Sequence, residues 1–188
     1  LTMGDRVAEF EWRLAKYTGH KHAVMVNSGS SANLLAVSAL VSTEKIPSGM
    51  WETKFAPKAV VPALCWSTTV WPLMQHGIVP VIVDVDPATW GLSRVELDGG
   101  AFHSARSVLV HVYGNPVRDT NVLIEDCCEA LGARQPNGKH VGHKCEIATF
   151  SFYFSHHITT GGEGGACVTD DDDLANTMRI QRAHGWIR

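Results

Sequence analysis

Ala23-Val24-Met25-Val26-Asn27-Ser28-Gly29-Ser30-Ser31-Ala32-Asn33-Leu34-Leu35-Ala36 is the stretch that sets the architecture. Its four leading apolar residues show no polar alternation and read as a short buried strand. Asn27 to Ser31 supply turn and cap chemistry, and the Ala- and Leu-rich run from Ala32 to Val41 reads as a helix. The order is strand, small polar loop, helix. The pattern recurs downstream. Ala59-Val60-Val61 precedes Pro62, Val79 to Val85 precedes Asp86-Pro87, Ser107 to Val112 precedes Tyr113-Gly114-Asn115-Pro116, and Val122-Leu123-Ile124 precedes Glu125-Asp126. Ile147 to Tyr153 and Ala166 to Thr169 complete about seven strands. Continuous Val, Ile and Leu runs suit strands covered on both faces, so the expected class is α/β with a mostly parallel sheet and flanking helices.

Upstream of this stretch, Val7, Phe10 and Leu14 are spaced for an amphipathic helix from Gly4 to Tyr17. Downstream, Asp170 to Asp173 sits at the start of a helix from Leu174 to Ala183, where acidic residues complement the helix dipole. Ser42 to Lys54 and Val95 to Ala105 read as loops or helical crossovers. The 188 residues hold 45% hydrophobic and 19% charged residues, the makeup of an ordinary globular domain. The net charge of -3, with no basic stripe, argues against nucleic acid as a partner. Five cysteines, an odd number, do not form a secreted disulfide framework. No apolar run reaches the roughly 18 residues of a membrane span, and residues 1–10 lack the basic-then-apolar pattern of a signal peptide. A cytoplasmic location is expected.

In open α/β sheets ligands bind at the carboxyl ends of strands, which directs attention to the residues after each apolar run. Ser28-Gly29-Ser30-Ser31 is either a plain helix cap or a monophosphate site, since hydroxyls and free N–H groups meet there at a helix N-terminus. It is neither a Walker loop nor a dinucleotide fingerprint. Glu125-Asp126 ends a buried strand, where an ionised carboxylate needs a cationic or hydrogen-bonded partner; the protonated nitrogen of a pyridine ring is one such partner. Trp66 is a core residue or a surface for that ring to lie on. His140, His143 and Cys145 read as a metal cluster or as part of a polar hairpin between two strands, the fourth ligand of a cluster being absent.

The motifs NSGSSAN (27–33), VPALCWSTT (61–69), VIVDVDPATW (81–90), HVYGNP (111–116), IEDCCEALGA (124–133), TFSFYFSHHITTGGEGGACVTDD (149–171) and RAHG (182–185) stand in the order of one known family. The chain resembles the DegT/StrS nucleotide-sugar aminotransferases, pyridoxal-phosphate proteins of fold type I. The resemblance implies a large domain with a mostly parallel seven-stranded sheet, here residues 1–188, and a smaller C-terminal domain that is missing from this chain. It implies that Gly29, Ser30 and Ser151 hold the cofactor phosphate, that Trp66 stacks on the ring and that Asp126 pairs with the pyridine nitrogen. Glu129 would face the cofactor region. A homodimer with the site at its interface is implied as well.

The pattern departs at one decisive place. Where family aminotransferases carry the lysine that links to the cofactor, this chain has His156. Lys139 and Lys144 are close in sequence but precede the strand, so both are expected at its opposite end. Imidazole forms no such link, yet it moves protons at neutral pH. A histidine here, followed by His157 and preceded by SFYF, resembles the 3-dehydratase branch of the family, which serves deoxysugar biosynthesis for lipopolysaccharide O-antigen. The implied chemistry uses pyridoxamine phosphate to remove the 3-hydroxyl of a nucleotide-linked 4-keto-6-deoxyhexose, with His156 as acid and base and glutamate as amino donor restoring the amine. An inactive binding homologue and an ordinary aminotransferase are the competing expectations. The cysteine spacing does not match the iron–sulfur branch. Gly161-Gly162-Glu163 holds one glycine more than the family loop, which bears on the placement of His156.

Overall fold

A computed structural model describes residues 3–46, 56–93, 106–117 and 121–186. The strands are β1 (His22–Val26), β2 (Lys58–Pro62), β3 (Val79–Val83), β4 (Arg106–Val110), β5 (Val122–Asp126), β6 (Ile147–Ser151) and β7 (Gly165–Thr169). The helices are α1 (Asp5–Thr18), α2 (Gly29–Ser42), α3 (Ser67–Gln75) and α4 (Asp172–Arg182). One sheet runs in the order β1-β7-β6-β5-β4-β2-β3. The pairings from β6 through β5, β4 and β2 to β3 are parallel, whereas β7 is antiparallel to both β1 and β6. The mostly parallel seven-stranded α/β expectation therefore holds.

Side chains alternate across each strand, so the two faces of the sheet have separate cores. Val24, Val61, Val108, Ile124, Ile147 and Cys167 pack with Ala36, Leu40, Leu73, Leu174 and Met178 of α2, α3 and α4. Ala23, Ala148, Phe150, Ala166 and Val168 face Leu14 and Ala15 of α1. Burial of about a dozen such side chains, at roughly 1.5–3 kcal/mol each before entropic costs, is what holds the layers together. Helix α2 is buried nearly all round, which is why its sequence lacks a polar face.

Local differences from the sequence reading have local causes. Helix α2 starts at Gly29, because Ser28 is extended (φ -162°) and its side chain accepts the Ser31 N–H. The run Ser107 to Val112 stops being strand at Val110 and turns through a short 3-10 segment, Val112–Gly114, in which Tyr113 has φ 51°. Helix α3 has no counterpart in the sequence reading. Pro72 lies inside it, and a proline there removes an N–H donor and disguises the helical pattern. Strand β3 is a sheet edge and is not covered on both faces: Ile82 is 55% exposed. The acidic run behaves as expected, with Asp171 accepting from the N–H groups of Asp173 and Leu174 as the cap of α4. Residues 95–105, and 47–54 of the earlier loop, lie outside the described residues.

Candidate active site

Strands β1, β2, β4, β5 and β6 run in the same sense and end at one edge of the sheet, at Val26, Pro62, Val110, Asp126 and Ser151. The register sets Ser151 and Val26 beside Gly165, and Thr149 beside Asp126. Gly165 is indispensable to this junction. A Cβ on it would stand 2.1 Å from the Ser28 carbonyl oxygen, so only a glycine lets the 28–29 backbone cross the start of β7.

The 28–31 loop is consequently pressed onto the strand ends. A Cβ added to Gly29 would lie 2.7 Å from Ser151 Cβ and 2.8 Å from Cys128 Sγ. The capping role falls to Ser28, which leaves the exposed Ser30 hydroxyl free of it; Ser30 Oγ donates to Thr68 Oγ1 at 3.0 Å. Gly29, Ser30 and Ser151 therefore meet at the N-terminus of α2, where unpaired N–H groups favour an anion. Trp66 caps the N-terminus of α3 and is 74% exposed, so the core reading of this residue is overturned.

Asp126 and Glu125 are consecutive in β5 and point to opposite faces. Asp126, 4% exposed, accepts from Asn33 Nδ2 at 2.9 Å and Thr69 Oγ1 at 2.8 Å on Oδ2, and from the Cys128 N–H at 3.1 Å on Oδ1. Every one of these donors is neutral, and among the described residues no cation pairs with Asp126. A buried carboxylate so placed lacks one positive charge. A protonated pyridine nitrogen would supply it, and the cradle of Gly29, Ser30 and Ser151 suits a monophosphate; the residues present thus fit a pyridoxal-type cofactor. Burial and then the charge of Asp126 push up the thiols of Cys65 and Cys128, which stay neutral.

Glu125 belongs to a separate network. Its Oε2 accepts from His111 Nε2 at 2.9 Å and from Gly142 N–H at 2.5 Å, and its Oε1 accepts from Lys144 N–H at 2.8 Å. His111 Nδ1 accepts the Val117 N–H at 3.0 Å, which fixes the neutral ring with its proton on Nε2. Burial pushes the Glu125 carboxyl up, but these hydrogen bonds, led by His111, outweigh it and hold the group below the usual range. Glu129 lies at the site edge and accepts the Tyr113 N–H at 2.9 Å, holding the strained turn after β4.

His156 is half-buried in the loop between β6 and β7. Its N–H donates to Tyr153 O at 3.0 Å, and its ring lies 6.0 Å from that of Tyr153 in a T-shaped contact. The loop is closed at its base by Phe152 N–H to Gly164 O and by Thr159 Oγ1 to Phe152 O. Gly161 and Gly162 have φ 90° and 117° with open space around them, so both occupy left-handed backbone conformations in the loop between β6 and β7 that suit glycine. Lys139 and Lys144 precede β6 in the chain, Lys139 in the hairpin, where its carbonyl accepts the Gln135 N–H, and Lys144 with its N–H on Glu125 Oε1.

The polar hairpin between β5 and β6 is present, bridged between Arg134 and His140. Its side chains are engaged separately. His140 packs on Tyr17, Cys145 donates to Gly142 O, and His143 donates to Thr18 O and stacks on His20 with 4.3 Å between centroids. Near-parallel rings of this kind do not direct two lone pairs to one ion, although His20, His143 and Asp170 bring donor atoms within 4.8 Å of one another.

Asn33, Thr69, Thr149 and the His111–Glu125 pair were not identified from sequence. One signal was available: Asn33 interrupts an apolar helix, and a buried amide needs partners.

The DegT/DnrJ/EryC1/StrS aminotransferase family model matches residues 1–188. The chain belongs to this family. Among relatives of the DegT/DnrJ/EryC1/StrS group, it is 40% identical over 199 residues to a GDP-4-keto-6-deoxy-D-mannose 3-dehydratase of Yersinia pseudotuberculosis, covering 100% of this chain and 49% of that protein. The solved structure of the E. coli GDP-4-keto-6-deoxy-D-mannose-3-dehydratase with bound hydrated pyridoxal phosphate superimposes with a TM-score of 0.87 at 39% identity, over 98% of this chain and 49% of that one. A histidine-to-asparagine variant of such a dehydratase with bound GDP-perosamine gives 0.86 at 38% identity, with the same coverage. The chain spans about half the length of the curated relatives it matches. The fold is that of these fold type I proteins. No helix among the described residues is long and apolar enough to cross a membrane.

Proposed function

We propose that residues 1–188 form the cofactor-binding large domain of a longer protein. In this reading the protein is a pyridoxamine/pyridoxal 5′-phosphate-dependent lyase that removes the 3-hydroxyl of a nucleotide-linked 4-keto-6-deoxyhexose, with glutamate as amino donor. The observation that carries the reading is His156, a proton-transfer group with no capacity for a covalent link, in the loop beyond Ser151 and on the edge of the sheet where Asp126 lacks a counter-charge. Bound there, the cofactor supplies an amine that condenses with the sugar ketone and a protonated ring that accepts electrons.

The chain's own residues do the rest. Gly29, Ser30 and Ser151 bind the phosphate, Trp66 lies against the ring, and Asp126 keeps the ring nitrogen protonated. His156 takes a proton from the cofactor methylene and delivers it to the departing 3-hydroxyl. With no lysine to displace the product, water releases it, which favours deoxygenation over amination. Glu129 orders the Tyr113 turn beside the cofactor. A homodimer is supported by Trp66, Tyr113 and Phe154, which are 74%, 75% and 66% exposed around the same edge. A cytoplasmic location is supported by five free cysteines.

The test uses full-length protein. It should bind the cofactor without a borohydride-reducible protein link and, given glutamate, convert a GDP-linked 4-keto-6-deoxyhexose to its 3-deoxy product. His156→Asn should abolish turnover and leave cofactor affinity within about twofold. An aminated sugar with no 3-deoxy product would refute the dehydratase reading, and a parent protein as inert as the variant would refute an enzymatic one.

A further inference from the structure

Asp126 is approached by side chains from two helices, and one of them is itself aligned by a strand. Asn33 on α2 donates Nδ2–H to Asp126 Oδ2 at 2.9 Å, while its Oδ1 accepts from Thr149 Oγ1 of β6 at 2.7 Å. Thr69 on α3 donates to the same Oδ2 at 2.8 Å. Asn33, Thr69, Asp126 and Thr149 are 4%, 3%, 4% and 0% exposed. No bulk water compensates an error of orientation among them.

A carboxamide has two orientations of nearly equal shape, and its surroundings choose between them. Flipping Asn33 would set its carbonyl oxygen against the Asp126 carboxylate and its NH2 against the Thr149 hydroxyl. The Asp126 carboxylate, which only accepts, therefore selects the orientation in which Asn33 donates to it, and the Thr149 O–H holds the other end of the carboxamide in place by donating to Oδ1. With Asn33 and Thr69 both on Oδ2, that oxygen is occupied, whereas Oδ1 of Asp126 accepts the Cys128 N–H at 3.1 Å and, with two lone pairs, keeps an acceptor position.

We propose that Thr149 and Asn33 are positioning residues which, with Thr69, turn the Asp126 carboxylate so that Oδ1 is the oxygen presented to the ring nitrogen of the cofactor. This rests on the cofactor reading above and adds to it the device that makes Asp126 directional. Helix α3 ties the device to the rest of the site: the Thr69 N–H donates to Trp66 O at 3.0 Å, and the neighbouring Thr68 hydroxyl accepts from Ser30. Ring face, phosphate loop and carboxylate are thereby referred to one helical turn.

The experiment compares full-length parent protein with Thr149→Val, Thr149→Ser and Asn33→Ala. It measures pyridoxal-phosphate affinity by fluorescence titration, the absorbance of the bound cofactor against pH, and the thermal midpoint of the cofactor-free protein. Thr149→Val is nearly isosteric, so it tests the proposal even where Asn33→Ala folds poorly. Asn33→Ala should bind about tenfold more weakly, as loss of one hydrogen bond to a charged group implies; Thr149→Val, which leaves Asn33 Oδ1 unheld, should bind about threefold more weakly; and in both the bound ring should lose its proton at lower pH. Thr149→Ser keeps the hydroxyl and should match the parent. Parent-like affinity and spectra in Thr149→Val and Asn33→Ala, with only the thermal midpoint lowered, would overturn the positioning role and leave the cofactor reading standing. A parent that binds no cofactor would overturn both.

Discussion

Replacing Gly29 by alanine adds one methyl group to the most crowded point of the site. Gly29 is the first residue of α2 and its φ is not positive, so the backbone itself accepts alanine. In a helix interior that exchange would even favour alanine by about 1 kcal/mol. Packing opposes it. The new Cβ would stand 2.7 Å from Ser151 Cβ, 2.8 Å from Cys128 Sγ and 3.1 Å from Ser151 Oγ, against an ordinary carbon–carbon contact of roughly 3.5–4.0 Å. Ser151 is on a central strand and 8% exposed, so it cannot retreat without moving β6. Overpacking of this kind costs about 1–3 kcal/mol, and at the first residue of a helix the propensity gain is smaller than in its interior, so the net effect is a loss of up to about 2 kcal/mol. Displacing Ser151 and the α2 N-terminus from each other should also weaken phosphate binding by about tenfold or more. Thermal unfolding of the cofactor-free full-length protein reads the first effect, and pyridoxal-phosphate titration reads the second. An unchanged or raised thermal midpoint together with parent affinity would refute the reasoning, because it would mean that the 28–31 loop is not clamped between Ser151 and Cys128.

Two further outcomes follow from the same geometry. Glu125→Gln must turn an NH2 toward a backbone N–H or toward His111, leaving buried donors unpaired, and should destabilise the protein by about 2–4 kcal/mol at pH 7. Because the folded carboxyl is held below its ordinary value of 4.5, its stabilising contribution is complete above that pH and is lost as pH falls further. The gap in thermal midpoint between parent and Glu125→Gln should therefore narrow below about pH 4.5, and a gap independent of pH would contradict an ionised Glu125 carboxylate held by its hydrogen bonds. Trp66→Ala removes a side chain that is 74% exposed, so stability should change by no more than about 0.5 kcal/mol, while cofactor affinity should fall about two- to tenfold from lost ring contact. Reduced stability with unchanged affinity would return Trp66 to a packing role.

The strands were legible because continuous apolar runs announce themselves within a few residues, and Asp126 because it ends such a run. Helix α3 was not, since Pro72 interrupts the pattern that would have revealed it. Its absence from the sequence reading mattered, because α3 carries Thr68 and Thr69 as well as the capping Trp66. Trp66 itself was ambiguous: nothing local distinguishes a buried tryptophan from one held open at a helix N-terminus.

Local order along the chain was sufficient for the α/β class, the serine- and glycine-rich turn that opens α2 and the presence of histidine at position 156, all of which depend on residues adjacent in sequence. The tertiary structure alone decided the antiparallel insertion of β7 between β1 and β6, the opposite facing of Glu125 and Asp126 toward different partners, and the clamp on Asp126. That clamp joins residues 93, 57 and 116 positions apart in its three links. Contacts at such separations leave no periodicity in the sequence. They exist because the sheet order brings α2, α3, β5 and β6 together around a carboxylate that must be satisfied where water does not reach.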